Sequence, residues 1–180
     1  MLFNYTDCKM KYGSPYQIDK AVAESCLYKI GRGVYSDTGE ENELEIIQWK
    51  YPAAIMTFDS AYFYYNLTDM IPEKYYMATD YSARKIADPL VRQYYMPRGT
   101  FEIGQTEIDY CGDKVRIYDL NRLLIETARM KNKLPSDLYK EVVLSFRSRI
   151  SELEPSKIQT YLKAFPKREM IENILYEEVF

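Results

Sequence analysis

Histidine is missing from this chain of 180 residues. Imidazole is the usual general base near neutral pH and the commonest metal ligand, so its absence excludes a histidine-dependent catalytic triad and most zinc sites. Cysteine is scarce as well, because the chain has only Cys8, Cys26 and Cys111, which lie far apart. Three separated thiols can make neither a four-thiolate zinc site nor a disulfide framework. We expect them to be free thiols in a reducing cytosol.

Long apolar runs are missing too. No apolar stretch comes near the ~20 residues that a membrane-spanning helix needs, and the first residues lack the basic and apolar segments of a secretory signal. The sequence also lacks a phosphate loop of the G-x-x-x-x-G-K-[ST] kind and any nucleophile motif. It therefore predicts a cytoplasmic protein that is not an enzyme and that uses no membrane, cofactor or metal.

Apolar residues make up 47% of the chain and charged residues 28%, which is ample for a folded core. The length suits one sizeable domain, or one domain with a small added module. The net charge is −3, but its distribution is uneven. Residues 1–36 hold five cations against three carboxylates, a balance of +2, which leaves −5 for the remainder. Phosphate binding needs a local positive surface rather than a positive whole molecule.

The first 36 residues have the pattern of two short helices followed by a hairpin. Tyr5 to Tyr12 predicts a helix that ends at Gly13. Ser14 then begins a second helix as its cap, with Pro15 at the first helical position and Gln17 completing a capping box. This second helix places its apolar side chains at helical spacing on one face (Ile18, Ala21 and Val22) and its polar ones on the other (Tyr16, Gln17, Lys20 and Glu24).

A hairpin is predicted directly afterwards. Leu27–Ile30 and Val34–Tyr35 are β-prone, and they flank the turn Gly31-Arg32-Gly33. A thin turn with a cation at its tip is typical of the wing of a DNA-binding module. An ordinary tight turn with an exposed arginine is the alternative.

The rest of the chain predicts an α+β fold in which strands lie between helices. After an acidic linker, residues 41–180 form the predicted larger domain, with a mainly antiparallel sheet and C-terminal helices. The predicted strands are 75–78, 91–95, 106–110 and 115–118, and the predicted helices are 41–50, 59–66, 120–130, 136–150, 154–165 and 168–178.

Several short motifs, taken in order, resemble the AbiEi antitoxin family, the regulator half of AbiE toxin–antitoxin systems. They are Lys29–Tyr35 with its Arg-Gly-Val-Tyr, Tyr51–Thr57 with Ser60-Ala61, Asn66–Asp69 with Ile71-Pro72, and Tyr118–Glu126. This chain differs in having no room for the helix that usually precedes the capped pair, and in carrying Asn121 where the family often has glutamate.

The resemblance implies a winged helix-turn-helix that binds operator DNA, usually inverted repeats in the operon's own promoter. It also implies a C-terminal domain that counteracts a nucleotidyltransferase-type toxin, AbiEii. The sequence therefore predicts a DNA-binding autorepressor and antitoxin, which binds DNA as a dimer or cooperatively. The alternative is a protein-interaction module that neutralises the toxin by direct contact and binds little DNA.

The predicted DNA-binding residues all lie in the first module. A helix-turn-helix presents the start of its second helix to the major groove, where glutamine can pair with adenine and lysine with phosphate. The set is Lys9, Lys11, Ser14, Tyr16, Gln17, Lys20, Lys29 and Arg32.

For the larger domain, one hypothesis is a second surface that contacts DNA or the toxin. Its candidate residues are Arg122, Glu126, Arg147, Arg149, Lys163, Lys167 and Arg168. The alternative for Arg122 and Glu126, which share a helix face, is a buried ion pair that ties helix to sheet, and we favour it. The alternative for the C-terminal cations is a solvated mixed face. Asp109, Asp113 and Asp119 have turn and capping roles open to them, so we do not expect a metal site there.

Overall fold

The computed structural model, which describes residues 1–110 and 112–180, places its eight strands before residue 119 and four of its α-helices after it. The predicted free thiol of Cys111 lies outside those residues, whereas Cys8 and Cys26 are free thiols. The described residues form a mixed α+β fold. Its α-helices are α1 (Tyr5–Tyr12), α2 (Pro15–Ala23), α3 (Glu43–Lys50), α4 (Phe58–Tyr64), α5 (Leu120–Arg129), α6 (Ser136–Ser148), α7 (Pro155–Leu162) and α8 (Arg168–Glu178).

The strands are β1 (Leu2–Asn4), β2 (Tyr28–Gly31), β3 (Val34–Ser36), β4 (Ile55–Met56), β5 (Tyr75–Thr79), β6 (Val91–Tyr95), β7 (Gln105–Tyr110) and β8 (Asp113–Tyr118). A short 3-10 helix at Ile150–Glu152 follows α6. In the described part of the chain, every helix is too short or too polar to cross a membrane.

The chain divides into two compact units, Met1–Pro52 and Ala53–Phe180. The predicted module ended earlier, at residue 36. The difference is α3, which the sequence predicts as part of the larger domain and which belongs to the first unit. Its Leu44 and Ile47 are buried.

The first unit is built around one small apolar cluster. Cys8 of α1, Ile18 and Ala21 of α2, Leu27 and Tyr35 form it. Beside the helices lies an antiparallel three-stranded sheet in the order β1-β3-β2. Strand β1 was not predicted, because three residues are too few to show an alternating pattern.

The second unit contains a five-stranded sheet in the order β6-β5-β4-β8-β7. Two neighbouring pairs are antiparallel (β4 with β5, and β7 with β8), and two are parallel (β5 with β6, and β4 with β8). The predicted mainly antiparallel sheet is therefore a mixed one. The two-residue strand β4 lies at its centre and decides this topology, and it was not predicted as a strand.

Helix α5 is the most buried helix of this unit, because every residue from Asn121 to Ala128 is buried. Its start was predicted correctly, since Asp119 Oδ1 accepts the N–H of Arg122 at 2.8 Å. Asn121 Oδ1 accepts the N–H of Glu154 at 2.7 Å and so joins α5 to the start of α7. The asparagine thus has a structural role of its own at this position.

Candidate nucleic-acid interface

Two capped helices with a two-residue turn between them open the first unit. Asn4 and Asp7 form a capping box at α1, because each side chain accepts the backbone N–H of the other residue. Gly13 ends α1 with a φ of 87°, a conformation that favours glycine, and its N–H bonds to Lys9 O. This first box was not predicted from the sequence, although Asn-x-x-Asp is a recognisable signal for it.

Helix α2 turns one face to the core and the other to solvent. Ile18 and Ala21 are buried, while Tyr16, Gln17 and Lys20 are exposed. The Tyr16 side chain leaves 73% of its surface accessible. The exposed face is therefore the one that the sequence predicted.

Ser14 caps α2 as predicted, since its Oγ accepts the N–H of Gln17 at 3.3 Å. The second half of the predicted capping box is missing, because no bond from the Gln17 side chain back to Ser14 exists among the described residues. The Gln17 amide is therefore exposed rather than used at the helix end. An amide in this position has both a donor and an acceptor to offer a base edge.

The predicted hairpin is present, and Arg32 lies at its tip. Strands β2 and β3 pair antiparallel, and a register shift between Lys29 and Gly31 makes Ile30 the extra residue of a bulge. Gly33 follows Arg32 with a φ of 71°, which completes a turn that a side chain with a Cβ would strain. Arg32 and Lys29 are both exposed.

The charges of the first unit are separated along its sheet. Residues 37–52 add five carboxylates and one lysine, so the whole unit has a balance of −2 rather than the +2 of residues 1–36. The acidic segment begins after Ser36, at the end of β3 opposite the Arg32 turn. Strands of this length separate the two ends by about 10 Å, which is close to one Debye length in physiological salt.

The remaining predicted cations of this unit lie on α1. Lys9 and Lys11 are exposed in its last turn. The Nζ of Lys11 lies 4.9 Å from the centre of the Phe3 ring and 5.5 Å from that of Tyr12. Lys20 of α2 is 3.7 Å from Glu24, an exposed pair that solvent and salt weaken. All eight predicted residues thus belong to one unit, and seven of them are exposed.

In the larger unit, Arg122 and Glu126 do not lie on a surface. Both side chains are fully buried. The Arg122 guanidinium bonds to Glu126, to the carbonyls of Thr100 and Ile103 and to Met96 Sδ. It also lies between two rings, 4.4 Å from the centre of Tyr118 and 4.5 Å from that of Phe165. The predicted surface role is therefore wrong for this pair, and the structural alternative describes it.

The C-terminal cations also divide into two groups. Arg147 donates to the carbonyl of Glu178, and Arg149 donates to the carbonyl of Tyr65 and to Glu152, so both hold the fold together. Lys163, Lys167 and Arg168 are exposed. Arg168 forms an exposed pair with Glu172 at 2.7 Å. Any cationic surface here is smaller than the sequence predicted.

A cluster on the second sheet was not predicted. Tyr76 of β5 bonds to Asp59 of α4, and Arg92 of β6 lies 5.7 Å from the Tyr76 ring and 5.8 Å from the Tyr94 ring. Burial raises the pKa of the Asp59 carboxyl, and the Tyr76 hydrogen bond opposes that rise. Burial, with Asp59 beside it, raises the pKa of Tyr76 to about 12. Strand pairing brings these residues together, so no local pattern could have shown them.

Two of the three aspartates considered for a metal accept hydrogen bonds within the fold, and the third, Asp113, is the first residue of β8. Asp109 accepts the N–H of Gly112 at 3.2 Å, and Asp119 caps α5 and accepts the hydroxyl of Tyr161 at 2.8 Å. Among the described residues, no group of three cysteine, aspartate or glutamate side chains is placed to hold a metal ion.

No family model matches this chain, and no curated protein matches it in sequence. The resemblance to the AbiEi antitoxins therefore rests on the chain's own short motifs.

Proposed function

We propose that the protein is a DNA-binding transcriptional autorepressor and antitoxin that counteracts a nucleotidyltransferase-type toxin. In this proposal, residues 1–36 act as a small winged helix-turn-helix on operator DNA. The observation that carries it is the exposed polar face of α2, with Tyr16, Gln17 and Lys20, in one unit with a hairpin that ends in Arg32.

The arrangement suits DNA for three reasons. The start of a second helix is the part that enters the major groove. Here the first turn carries the Gln17 amide, and Lys20 follows in the last turn of the same helix. A narrow hairpin tip with one guanidinium can reach a phosphate or the minor groove. The acidic segment after Ser36 begins at the other end of β3, so it repels DNA least at the tip.

The test is a gel-shift titration of the full chain with the DNA upstream of its own gene, at about 50 mM salt. We expect a specific complex, and we expect Lys20→Ala and Arg32→Ala each to weaken it about three- to thirtyfold, as the loss of one charged contact does. Lys140→Ala is the matched control, because Lys140 is an exposed helix lysine of the larger unit.

No specific complex at low salt would reject the repressor part of the proposal. Specific binding that neither Lys20→Ala nor Arg32→Ala changes would reject the assignment of the site. A nucleotidyltransferase gene next to this one would support the antitoxin part, which growth assays with both genes can then measure.

A second candidate function is neutralisation of the toxin by direct contact. It is favoured by an apolar groove of about 240 Å³ between α7 and α8, lined by residues that include Ile158, Leu162 and Leu175. Tyr176 and Phe180 on its rim are 79% and 53% exposed. Co-purification of the neighbouring gene product, lost on Tyr176→Glu but kept on Lys20→Ala, would favour this function over DNA binding.

A further inference from the structure

One edge of the five-stranded sheet is formed by β6, whose single strand neighbour is β5 among the described residues. The two strands run parallel, with Tyr75 opposite Val91 and Thr79 opposite Tyr95. Tyr75 donates its N–H to Leu90 O at 2.8 Å, and Met96 donates its N–H to Thr79 O at 2.9 Å.

These two bonds determine which backbone groups of β6 are used. In a parallel pair, every second residue of a strand turns both its N–H and its C=O to the neighbour. Leu90 and Met96 are such residues, so positions 92 and 94 face β5 as well. Positions 91, 93 and 95 must then turn their N–H and C=O outward, away from the sheet.

The outward N–H and C=O groups of positions 91, 93 and 95 have few hydrogen-bond partners within the chain. Val91 donates its N–H to Asp88 O at 3.1 Å. Among the described residues, no hydrogen bond is made by the N–H of Gln93 or the N–H of Tyr95. Tyr95 is 47% exposed, so this end of the edge is open to solvent. An edge with free N–H and C=O groups is a template for another strand.

The opposite edge of the sheet, β7, differs from β6 in carrying exposed carboxylates. Asp119 donates its N–H to Gly104 O, so the alternation along β7 turns positions 105, 107 and 109 outward. Two of them carry exposed carboxylates, Glu107 and Asp109. Charges of one sign on an edge discourage strand addition. Strand β6 carries one charged side chain, the exposed Arg92, and no carboxylate.

The sequence of β6, Val-Arg-Gln-Tyr-Tyr, is complementary to itself when it is reversed. An antiparallel pair of two copies centred on Gln93 places Val91, which is largely buried in its own chain, opposite the partner copy's exposed Tyr95. It also places Arg92 opposite the second copy's Tyr94, a cation facing an aromatic ring. Arg92 already makes this contact with Tyr94 of its own chain, at 5.8 Å. No like charges face each other.

We propose that the β6 edge pairs antiparallel with the β6 edge of a second copy of this chain, which gives a two-fold symmetric dimer with one continuous ten-stranded sheet. The outward groups meet in this register as hydrogen-bonded pairs. Each copy donates the N–H of Gln93 to Gln93 O of the other, and the N–H of Tyr95 to Val91 O of the other. The inference does not depend on DNA binding, although a two-fold dimer would suit an inverted repeat.

The first experiment measures the mass of the full chain in solution by sedimentation equilibrium, without DNA. We expect a reversible dimer. Tyr95→Pro removes an outward N–H and leaves the bonds to β5 in place, so it should raise the dimer dissociation constant at least about tenfold. Glu107→Pro is the matched control, because it removes an outward N–H from the opposite edge, and it should leave that constant unchanged.

A second experiment tests the register with a variant that needs no proline. Gln93→Cys, in a chain with Cys26→Ser and Cys111→Ser, puts two thiols on the two-fold axis with Cα atoms about 5.5 Å apart, within disulfide range. It also removes the bonds of the Gln93 side chain to Thr79, Arg84 and Ile86, so circular dichroism first establishes that this variant is folded. We expect rapid oxidation to a covalent dimer, and none for Glu107→Cys. A monomer at all concentrations, a dimer unaffected by Tyr95→Pro, or equal crosslinking of both cysteine variants would each overturn the proposal.

Discussion

The contribution of Arg122 to the stability of the fold depends on the groups that surround its guanidinium. Its guanidinium has no exposed surface, and each of its three nitrogens has a partner. It joins α5 to the segment that contains Thr100 and Ile103, and through the Phe165 ring to the segment between α7 and α8. Glu126 also pairs with Arg129, so the carboxylate serves two cations. Such a buried group stabilises the fold only while all its partners are present.

Arg122→Ala should therefore lower the free energy of unfolding by about 3–5 kcal/mol, because it leaves buried carbonyls and part of a buried carboxylate without a donor. The chain offers a matched control in Arg168, which also pairs with a glutamate four residues later but on the surface. Arg168→Ala should cost less than about 1 kcal/mol. Urea denaturation followed by circular dichroism measures both, and equal costs would contradict the buried role.

Gly104 is the second residue whose identity the surroundings require. Its φ is 73°, and a Cβ at this position would lie 2.5 Å from the Cβ of Arg122 and 3.0 Å from the Tyr161 ring. Gly99 has a similar φ of 77° but nothing within 4 Å of a Cβ. Gly99→Ala should thus show the cost of the backbone conformation alone, about 1–2 kcal/mol.

Gly104→Ala should cost more than Gly99→Ala by at least about 1 kcal/mol, because the added methyl group must displace the Arg122 side chain or the Tyr161 ring. The same urea titrations give the comparison. If the two variants lost equal stability, the close approach of Gly104 to Arg122 would have no energetic consequence.

At the scale of elements, the loop between β3 and α3 is organised by one carboxylate. Glu41 Oε1 accepts bonds from Ser36 Oγ at 2.5 Å, from Thr38 Oγ1 at 3.2 Å and from the Met1 ammonium group at 2.9 Å. Burial alone would raise the pKa of Glu41, but these hydrogen bonds outweigh it and lower the pKa to about 2. The folded unit therefore holds Glu41 in its ionised form.

The contribution of Glu41 to stability should depend on pH. A carboxyl whose pKa is lower in the folded state stabilises that state above its unfolded pKa of 4.5, and the stabilisation disappears as the pH falls from there to about 2. Glu41→Gln should cost about 1–2 kcal/mol at pH 7, after allowance for solvent screening, and almost nothing at pH 2. Thermal unfolding across this range measures the difference, and the exposed Glu40→Gln should show no such trend.

At the scale of the whole molecule, the charge distribution limits how steeply the proposed DNA binding can depend on salt. The chain has a net charge of −3, and the predicted DNA-binding set holds five cations: Lys9, Lys11, Lys20, Lys29 and Arg32. Five phosphate contacts at most give a slope of about −4.5 in a plot of log binding constant against log salt concentration, for each bound protomer.

We therefore expect specific binding to weaken steeply between 50 and 200 mM salt, with a slope no steeper than about −4.5 per protomer, and we expect Lys20→Ala to reduce it by about one. Fluorescence anisotropy at several salt concentrations measures both slopes. A steeper slope per protomer would show that cations outside the first unit contact DNA, and the exposed Lys163, Lys167 and Arg168 would be the first to test.

The sequence by itself determined the features that depend on neighbouring residues. The bounds of α1, β6 and α8 were predicted to the residue, and so were the cap of α5 at Asp119 and the exposed face of α2. Caps, prolines, glycines and helical spacing act within a few residues, so they can be recognised in the sequence alone. The predicted DNA-binding residues follow from such local signals, and seven of the eight are exposed.

Only the tertiary structure decided the features that depend on distant residues. Strand β4 has two residues, yet it joins β5 to β8 and makes the sheet mixed. The spacing of Arg122 and Glu126 fits a surface pair and a buried pair equally well, and the burial of their helix by the sheet and the other helices selected the second. The outward groups of β6 follow from its register with β5. Pairing and burial are non-local, and one sequence pattern is compatible with several outcomes of each.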